Sequence, residues 1–276
     1  MQAYANPASR LPEVVKNLLI INGLMLLLKI AMGTDGLGRS VLDNWLGLHV
    51  IGSPDFKPWQ ILTHMFLHAG PGSGPGWYWH IVSNMFALWM FGGPIENVMG
   101  SKRFLNYYLL CGLGAAALQM SVSYADTRSQ AAELEAVGVT TAEVKEIVAA
   151  SHISPDEADQ VMNRIIREHP GSGTQVQAMF WNYAGVMVGA SGAIFGILIA
   201  FGMLFPNVEL MLLFLPIPIK AKYFVALYGL WELFAGVRQQ TGDNVAHYAH
   251  LGGLIFGFFL IRYWKRRGVF GGGGWR

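Results

Sequence analysis

Apolar residues in this chain gather into long unbroken runs, not into the half-apolar stripes of a soluble helix. A bilayer-spanning helix needs about 20 mostly apolar residues. Six runs approach that length: 14–32, 80–99, 104–124, 186–205, 223–237 and 247–264. The fifth is the shortest and carries Glu232. A seventh stretch, LMLLFLPIPI at 210–219, is equally apolar but is interrupted by Pro216 and Pro218. It is predicted to be an interfacial loop. The pattern predicts an all-α, multi-pass membrane protein with six transmembrane helices.

Two long segments separate the runs. Segment 33–79 ends in the glycine- and proline-rich stretch AGPGSGPGW. Segment 125–180 is polar and acidic, and it holds two helix starts: Thr140 with Glu143, and Ser154 with Pro155 and Glu157. The second opens a helix with Ala158, Val161, Met162, Ile165 and Ile166 on one face, ending near Pro170-Gly171. The expected organisation is membrane helices 1–3 with the long first loop (1–124), a small helical extra-membrane insert (125–180), and membrane helices 4–6 with a tail (181–276).

Composition agrees. Hydrophobic residues make up 53% of the chain, charged residues 13%, and mean hydropathy is +0.37. A soluble surface needs more charge. The net charge of +2 is too small to suggest nucleic acid, and a single cysteine, Cys111, permits no intrachain disulfide. No small-residue cleavage site follows the first run, which is expected to be retained. Six spans put both termini on one side, together with Arg10, Lys16, Lys102, Arg103, Lys220, Lys222, Arg262, Lys265, Arg266, Arg267 and Arg276. These are 11 of the 19 basic residues. Only Glu13, Glu96 and Glu209 of the 17 acids fall there. By the positive-inside rule that side is cytoplasmic. A bacterial inner membrane is the expected location, and an organelle membrane is also compatible with these residues.

Candidate chemistry lies inside the runs. The fourth reads GVMVGASGAIFGILIAF, with Ser191 between Gly189 and Gly192. Close helix packing explains those glycines when the run is taken alone, since Gly192 and Gly196 form a GxxxG pair. The sixth reads HYAHLGGLIFGFF, with Gly253 and Gly257 as a second pair, so runs four and six are expected to touch. An intramembrane histidine is costly and commonly functional. Parallel helices with Ser191 and His250 at similar depth can bring the hydroxyl to an imidazole nitrogen, which a weak nucleophile requires. His247 is the rival base, nearly a turn closer to water. In the second run His80 and Asn84 share a helix face, as a polar pair satisfying itself or as donors to an oxyanion beside the Ser191 amide.

These pieces, in this order, resemble the rhomboid family of intramembrane serine proteases. The matching residues are His80-x-x-x-Asn84, Gly189-Ala-Ser191-Gly192 and Ala249-His250-Leu-Gly-Gly, with GGPIENVMGSKRF after the second run. The resemblance covers most of the chain except 125–180. It implies a rhomboid-like bundle in which Ser191 and His250 form a dyad without an acid. His80, Asn84 and the Ser191 amide then line an oxyanion hole, and Phe195 stacks on the catalytic histidine. Expected partners are transmembrane protein substrates and the lipid bilayer, with no cofactor.

Some features depart from that pattern. The first loop reads Trp59-Gln60 where the family often carries Trp-Arg. His64 and His68 have a ligand-like spacing, but no third ligand follows, so they are read as locally bonded loop histidines and no metal is expected. Glu232 is read as an intramembrane acid facing protein or water, not as a third catalytic member. Two other functions compete: a catalytically inactive rhomboid-like protein that binds membrane clients, and a transporter relaying protons through its intramembrane His and Glu. The second predicts internal repeats, which the sequence does not show convincingly.

Overall fold

A computed structural model describes residues 11–212, 215–238 and 246–269. Arg10, Arg276 and the middle of the 210–219 run lie outside the described residues. A helix stands at each of the six apolar runs. The first is α1 (Glu13–Met32). Short helices α2 (Val41–Leu46) and α3 (Gln60–Thr63) follow in the first loop. The second run is α4 (Tyr78–Ala87), a π-helical turn over Leu88–Gly92, and α5 (Gly93–Met99). Pro94 in the first turn of α5 gives that π turn a cause, because proline cannot donate to the turn before it.

Next comes α6 (Ser101–Ala136), whose 36 residues make it about 54 Å long. It continues well past the expected end of the third run at 124. The insert supplies α7 (Thr141–Ser151), α8 (Pro155–Glu168) and α9 (Gly173–Ala184). Then follow α10 (Ser191–Leu204), β1 (Glu209–Leu212), β2 (Leu215–Lys220), α11 (Ala221–Arg238) and α12 (His247–Arg266).

Among the described residues, α1 and α6 are long and apolar enough to cross a membrane on length and composition, and α10 is a shorter apolar helix. Outward-facing apolar side chains suit hydrocarbon: Leu24 and Leu27 on α1, Leu230 and Trp231 on α11, and Phe259 on α12 are all exposed.

Two expectations need correction. The 210–219 run is not a loop: β1 and β2 pair antiparallel, with Glu209 opposite Lys220 and Leu210 opposite Ile219. Each strand of a two-stranded ribbon has an unpaired edge, where a proline's missing N–H is tolerated. The fourth run is not helical throughout. Met187 instead bridges Leu48, and the Gly189 N–H donates to the His64 carbonyl at 3.0 Å.

The chain divides into two compact units, each assembled from separated stretches. One comprises Met1–Leu24, Ile81–Ala116 and Ala190–Arg276. Its centre is α10, buried along nearly its whole length. There Glu96 caps α1: its two carboxylate oxygens accept from the N–H groups of Val14 (3.0 Å) and Val15 (2.8 Å), and Ser101 donates to it at 2.6 Å. A carboxylate at a helix N-terminus satisfies donors that have no partner within the helix.

The other unit comprises Met25–His80 and Ala117–Gly189. Its core joins the end of α6 to the insert helices through Leu134, Val144, Ile147, Ile165, Val176 and Met179. Both expected caps are present: Thr140 and Glu143 bond reciprocally, and the Ser154 side chain accepts from the Glu157 N–H. Lys29, on the last turn of α1, is buried and bonds both Asp43 and the His68 carbonyl.

Candidate active site

Ser191 is the first residue of α10, and the chain reaches it through a sharp change of direction. Gly189 has φ +138°, a conformation that side-chain-bearing residues rarely adopt. Ala190 is the N-cap. The N–H groups of a first helical turn have no acceptor within the helix. A negative charge forming beside Ser191 therefore meets donors and the positive end of the helix dipole.

The position of His250 follows from the glycines. A Cβ on Gly253 would overlap the carbonyl oxygen of Gly192, and one on Gly257 would lie 3.0 Å from the Gly196 Cα. Helices α10 and α12 thus meet backbone to backbone, as their paired GxxxG faces predicted. On the other side of α10, Gly192 packs against Ala115 and Gly196 against Cys111 of α6. Tyr107 donates to the Gly196 carbonyl at 2.6 Å. The backbone of α10 is therefore fixed from two directions.

The helix contact sets His250 Nε2 2.8 Å from Ser191 Oγ, within hydrogen-bond reach. His250 is buried. Phe195, one turn beyond Ser191, stacks on its ring with centroids 4.2 Å apart. Tyr228 of α11 packs behind Phe195 at 4.9 Å. Of the two candidate bases, His250 is the one that contacts the serine.

Glu232 is the residue the sequence reading undervalued. It is buried on α11, and its Oε2 lies 2.6 Å from His247 Nδ1 in a hydrogen bond. The same oxygen lies 3.0 Å from His250 Nδ1, close enough for an ion pair though outside hydrogen-bond geometry. A carboxylate beside Nδ1 favours a proton on that nitrogen, leaving the Nε2 lone pair for the serine. The signal was available: an intramembrane acid usually has a nameable partner, and two histidines follow within 18 residues.

His80 and Asn84 stand on successive turns of α4, and Asn84 is buried. His80 Nδ1 accepts from the Ala69 N–H at 3.0 Å. That bond assigns the ring proton to Nε2 and makes Nε2 a donor. In the loop before α4, burial pushes His64 down to about 4 and His68 to about 3. His64 Nδ1 lies 2.9 Å from the Gln60 carbonyl. Gln60 is itself buried: its Oε1 accepts from the Lys57 N–H at 2.9 Å, and its Nε2 donates to the Asp55 carbonyl at 3.0 Å. It knits the loop together where the family pattern often has arginine.

Comparison with known proteins identifies the family of this chain. The sequence matches the Rhomboid domain family over residues 55–167 and 171–267. It is 23% identical over 180 residues, 65% of this chain and 36% of the relative, to Rhomboid protein 1, mitochondrial, of Saccharomyces cerevisiae. It is 25% identical over 203 residues, 68% of this chain and 36% of the relative, to the human Presenilin-associated rhomboid-like protein, mitochondrial. The chain spans about a third of the length of these relatives. Their names place them in mitochondria, so they lend the expected bacterial inner membrane no support. A match of this extent, laid over the helices that carry Ser191 and His250, makes the chain a member of the rhomboid family and an integral membrane protein.

Proposed function

We propose that this protein is an intramembrane serine endopeptidase that cleaves transmembrane segments of other proteins. The observation that carries the reading is the 2.8 Å contact between His250 Nε2 and Ser191 Oγ, with Phe195 stacked on the base. In this reading all six apolar helices cross the bilayer, and the basic side holds both termini in the cytoplasm. The dyad lies near the opposite face.

His250 takes the serine proton as Oγ attacks the scissile carbonyl, then returns it to the leaving amine. The Ser191 N–H and Asn84 receive the oxyanion. Glu232 keeps His250 in the tautomer that can accept a proton. Water then hydrolyses the acyl-enzyme. A substrate helix must first unwind, because its carbonyls are hydrogen-bonded, and segments bearing glycine or proline unwind most readily.

A fluorophosphonate probe tests the central claim. The purified protein in detergent should label, and Ser191→Ala should not. Equal labelling of both would remove Ser191 as nucleophile and leave a client-binding role as the better reading.

A further inference from the structure

Glu232, His247 and His250 converge more closely than a dyad requires. One ligand atom from each of the three residues lies within 4.8 Å of the other two, and the carboxylate oxygen Glu232 Oε2 faces Nδ1 of both histidines. Donor atoms on a tetrahedral zinc ion stand roughly 3.3 Å apart, and the two pairs measured to Glu232 Oε2 are 2.6 and 3.0 Å. Two imidazoles and a carboxylate are a ligand set that suits zinc and its neighbours, not magnesium or calcium. The cluster is also reachable. His247 is the first residue of α12, and the side chains of His247 and His250 are 12% and 11% exposed.

We infer that Glu232, His247 and His250 form a binding site for a divalent transition cation, zinc above all, and that occupancy switches the proposed protease off. The inference rests on the reading of His250 as base. Its logic is tautomeric. A neutral imidazole that ligates a metal through Nδ1 must carry its proton on Nε2. Nε2 is the atom 2.8 Å from Ser191 Oγ. With zinc on Nδ1, the proton that sat there moves to Nε2, and Nε2 becomes a donor with no lone pair to accept the serine proton. The Ser191–His250 contact can survive geometrically while its catalytic sense is reversed. The metal also takes Glu232 away from its role at Nδ1. His247 completes the site without touching the serine, so it sets metal affinity with little part in the reaction.

Binding can be separated from proteolysis. Ser191→Ala keeps all three ligands and cannot turn over, so its zinc content after equilibrium dialysis against Zn²⁺ in detergent reports the site alone. One ion per chain is expected. Adding His247→Ala or His247→Gln should weaken binding by more than about 100-fold, beyond what losing an outer-shell partner brings. Adding His169→Ala, which breaks the other His/Glu grouping (Glu143, Glu168, His169), should change nothing. Excess Mg²⁺ or Ca²⁺ should not compete. In the intact enzyme Zn²⁺ should lower kcat reversibly with little effect on KM, and His247→Ala should resist it. Absent binding, or binding indifferent to both His247 variants, overturns the site. Stimulation of activity by Zn²⁺ overturns the inhibitory role. An inactive enzyme that still binds zinc through His247 would defeat the protease reading and leave the metal site standing.

Discussion

The imidazole of His250 lies almost parallel to the ring of Phe195, their planes only 12° apart. A flat contact of this kind resists ring rotation, so it holds Nε2 toward Ser191. Phe195→Leu should therefore lower kcat by about tenfold and leave KM nearly unchanged, since only positioning of the base is lost. Phe195→Tyr, which keeps the ring, should retain most activity. Steady-state cleavage of a transmembrane peptide in detergent measures both. An unchanged kcat in the leucine variant would reduce Phe195 to packing.

Glu232→Gln tests the acid. Removing its charge should lower kcat about 10- to 100-fold at similar KM. That is less than the roughly 10⁴-fold seen where an acid is fully hydrogen-bonded to the base. His247→Ala should cost less than Glu232→Gln, and both less than His250→Ala. If Glu232→Gln retains full turnover, the carboxylate serves His247 alone.

Gly253 allows a packing test. An added methyl would collide with the Gly192 backbone carbonyl, which has no side-chain freedom to yield. Gly253→Ala should destabilise the protein by about 1–3 kcal/mol. Thermal unfolding in detergent should show a lower midpoint, with Ser191 labelling reduced in parallel. Gly23→Ala is the control, because nothing lies within 4 Å of its added carbon. Equal midpoints for the two variants would contradict the close α10–α12 contact.

Acid should weaken the unit that holds His64 and His68. Both are buried, and their folded pKa values of about 4 and about 3 lie below the unfolded value near 6.5. Above pH 6.5 neither state binds these protons, and the stability they contribute is complete. Below it only the unfolded chain takes them up, so stability falls with pH by about 1.4 kcal/mol per unit for each histidine. The decline should run from about pH 6.5 to about 4 for His64 and on to about 3 for His68. Chemical unfolding across that range should show it, with a shallower slope in His68→Gln. Identical slopes would mean that His68 is hydrated in the folded protein.

Lys29 and Asp43 form a buried ion pair. Lys29→Met alone leaves a carboxylate without its cation and should destabilise by about 3–5 kcal/mol. The double variant Lys29→Met with Asp43→Leu should recover most of that loss. Full additivity of the two single effects in denaturant unfolding would show that the groups act independently.

Much of this was legible in the sequence because its signals are local. The apolar runs marked six helices, and Thr140, Glu143 and Ser154 marked the insert's helix starts with the caps the structure contains. Ser191 and His250 were legible because glycines at spacing four declare which helix faces meet. Glu232 was undervalued for the opposite reason. Its role depends on how α11 is rotated about its own axis, and its apolar neighbours lie on all sides, so no stripe reveals the buried face. The β1–β2 pair was missed because prolines were taken to exclude pairing, which holds for inner strands only. Helix α9 lacked a capping signal: its N-cap Ser172 makes no side-chain cap bond.

The π turn at Leu88–Gly92 separates Asn84 from Glu96 within what otherwise reads as one helix. Such a turn holds one residue more than an α turn would, so it offsets everything before it by about 100° around the axis relative to everything after. Shortening the chain by a single residue there would let the rod wind uniformly, and Asn84 and Glu96 could no longer both face their present surroundings. Spacing in this stretch therefore matters as much as residue identity, and insertions or deletions there should be tolerated far less than substitutions.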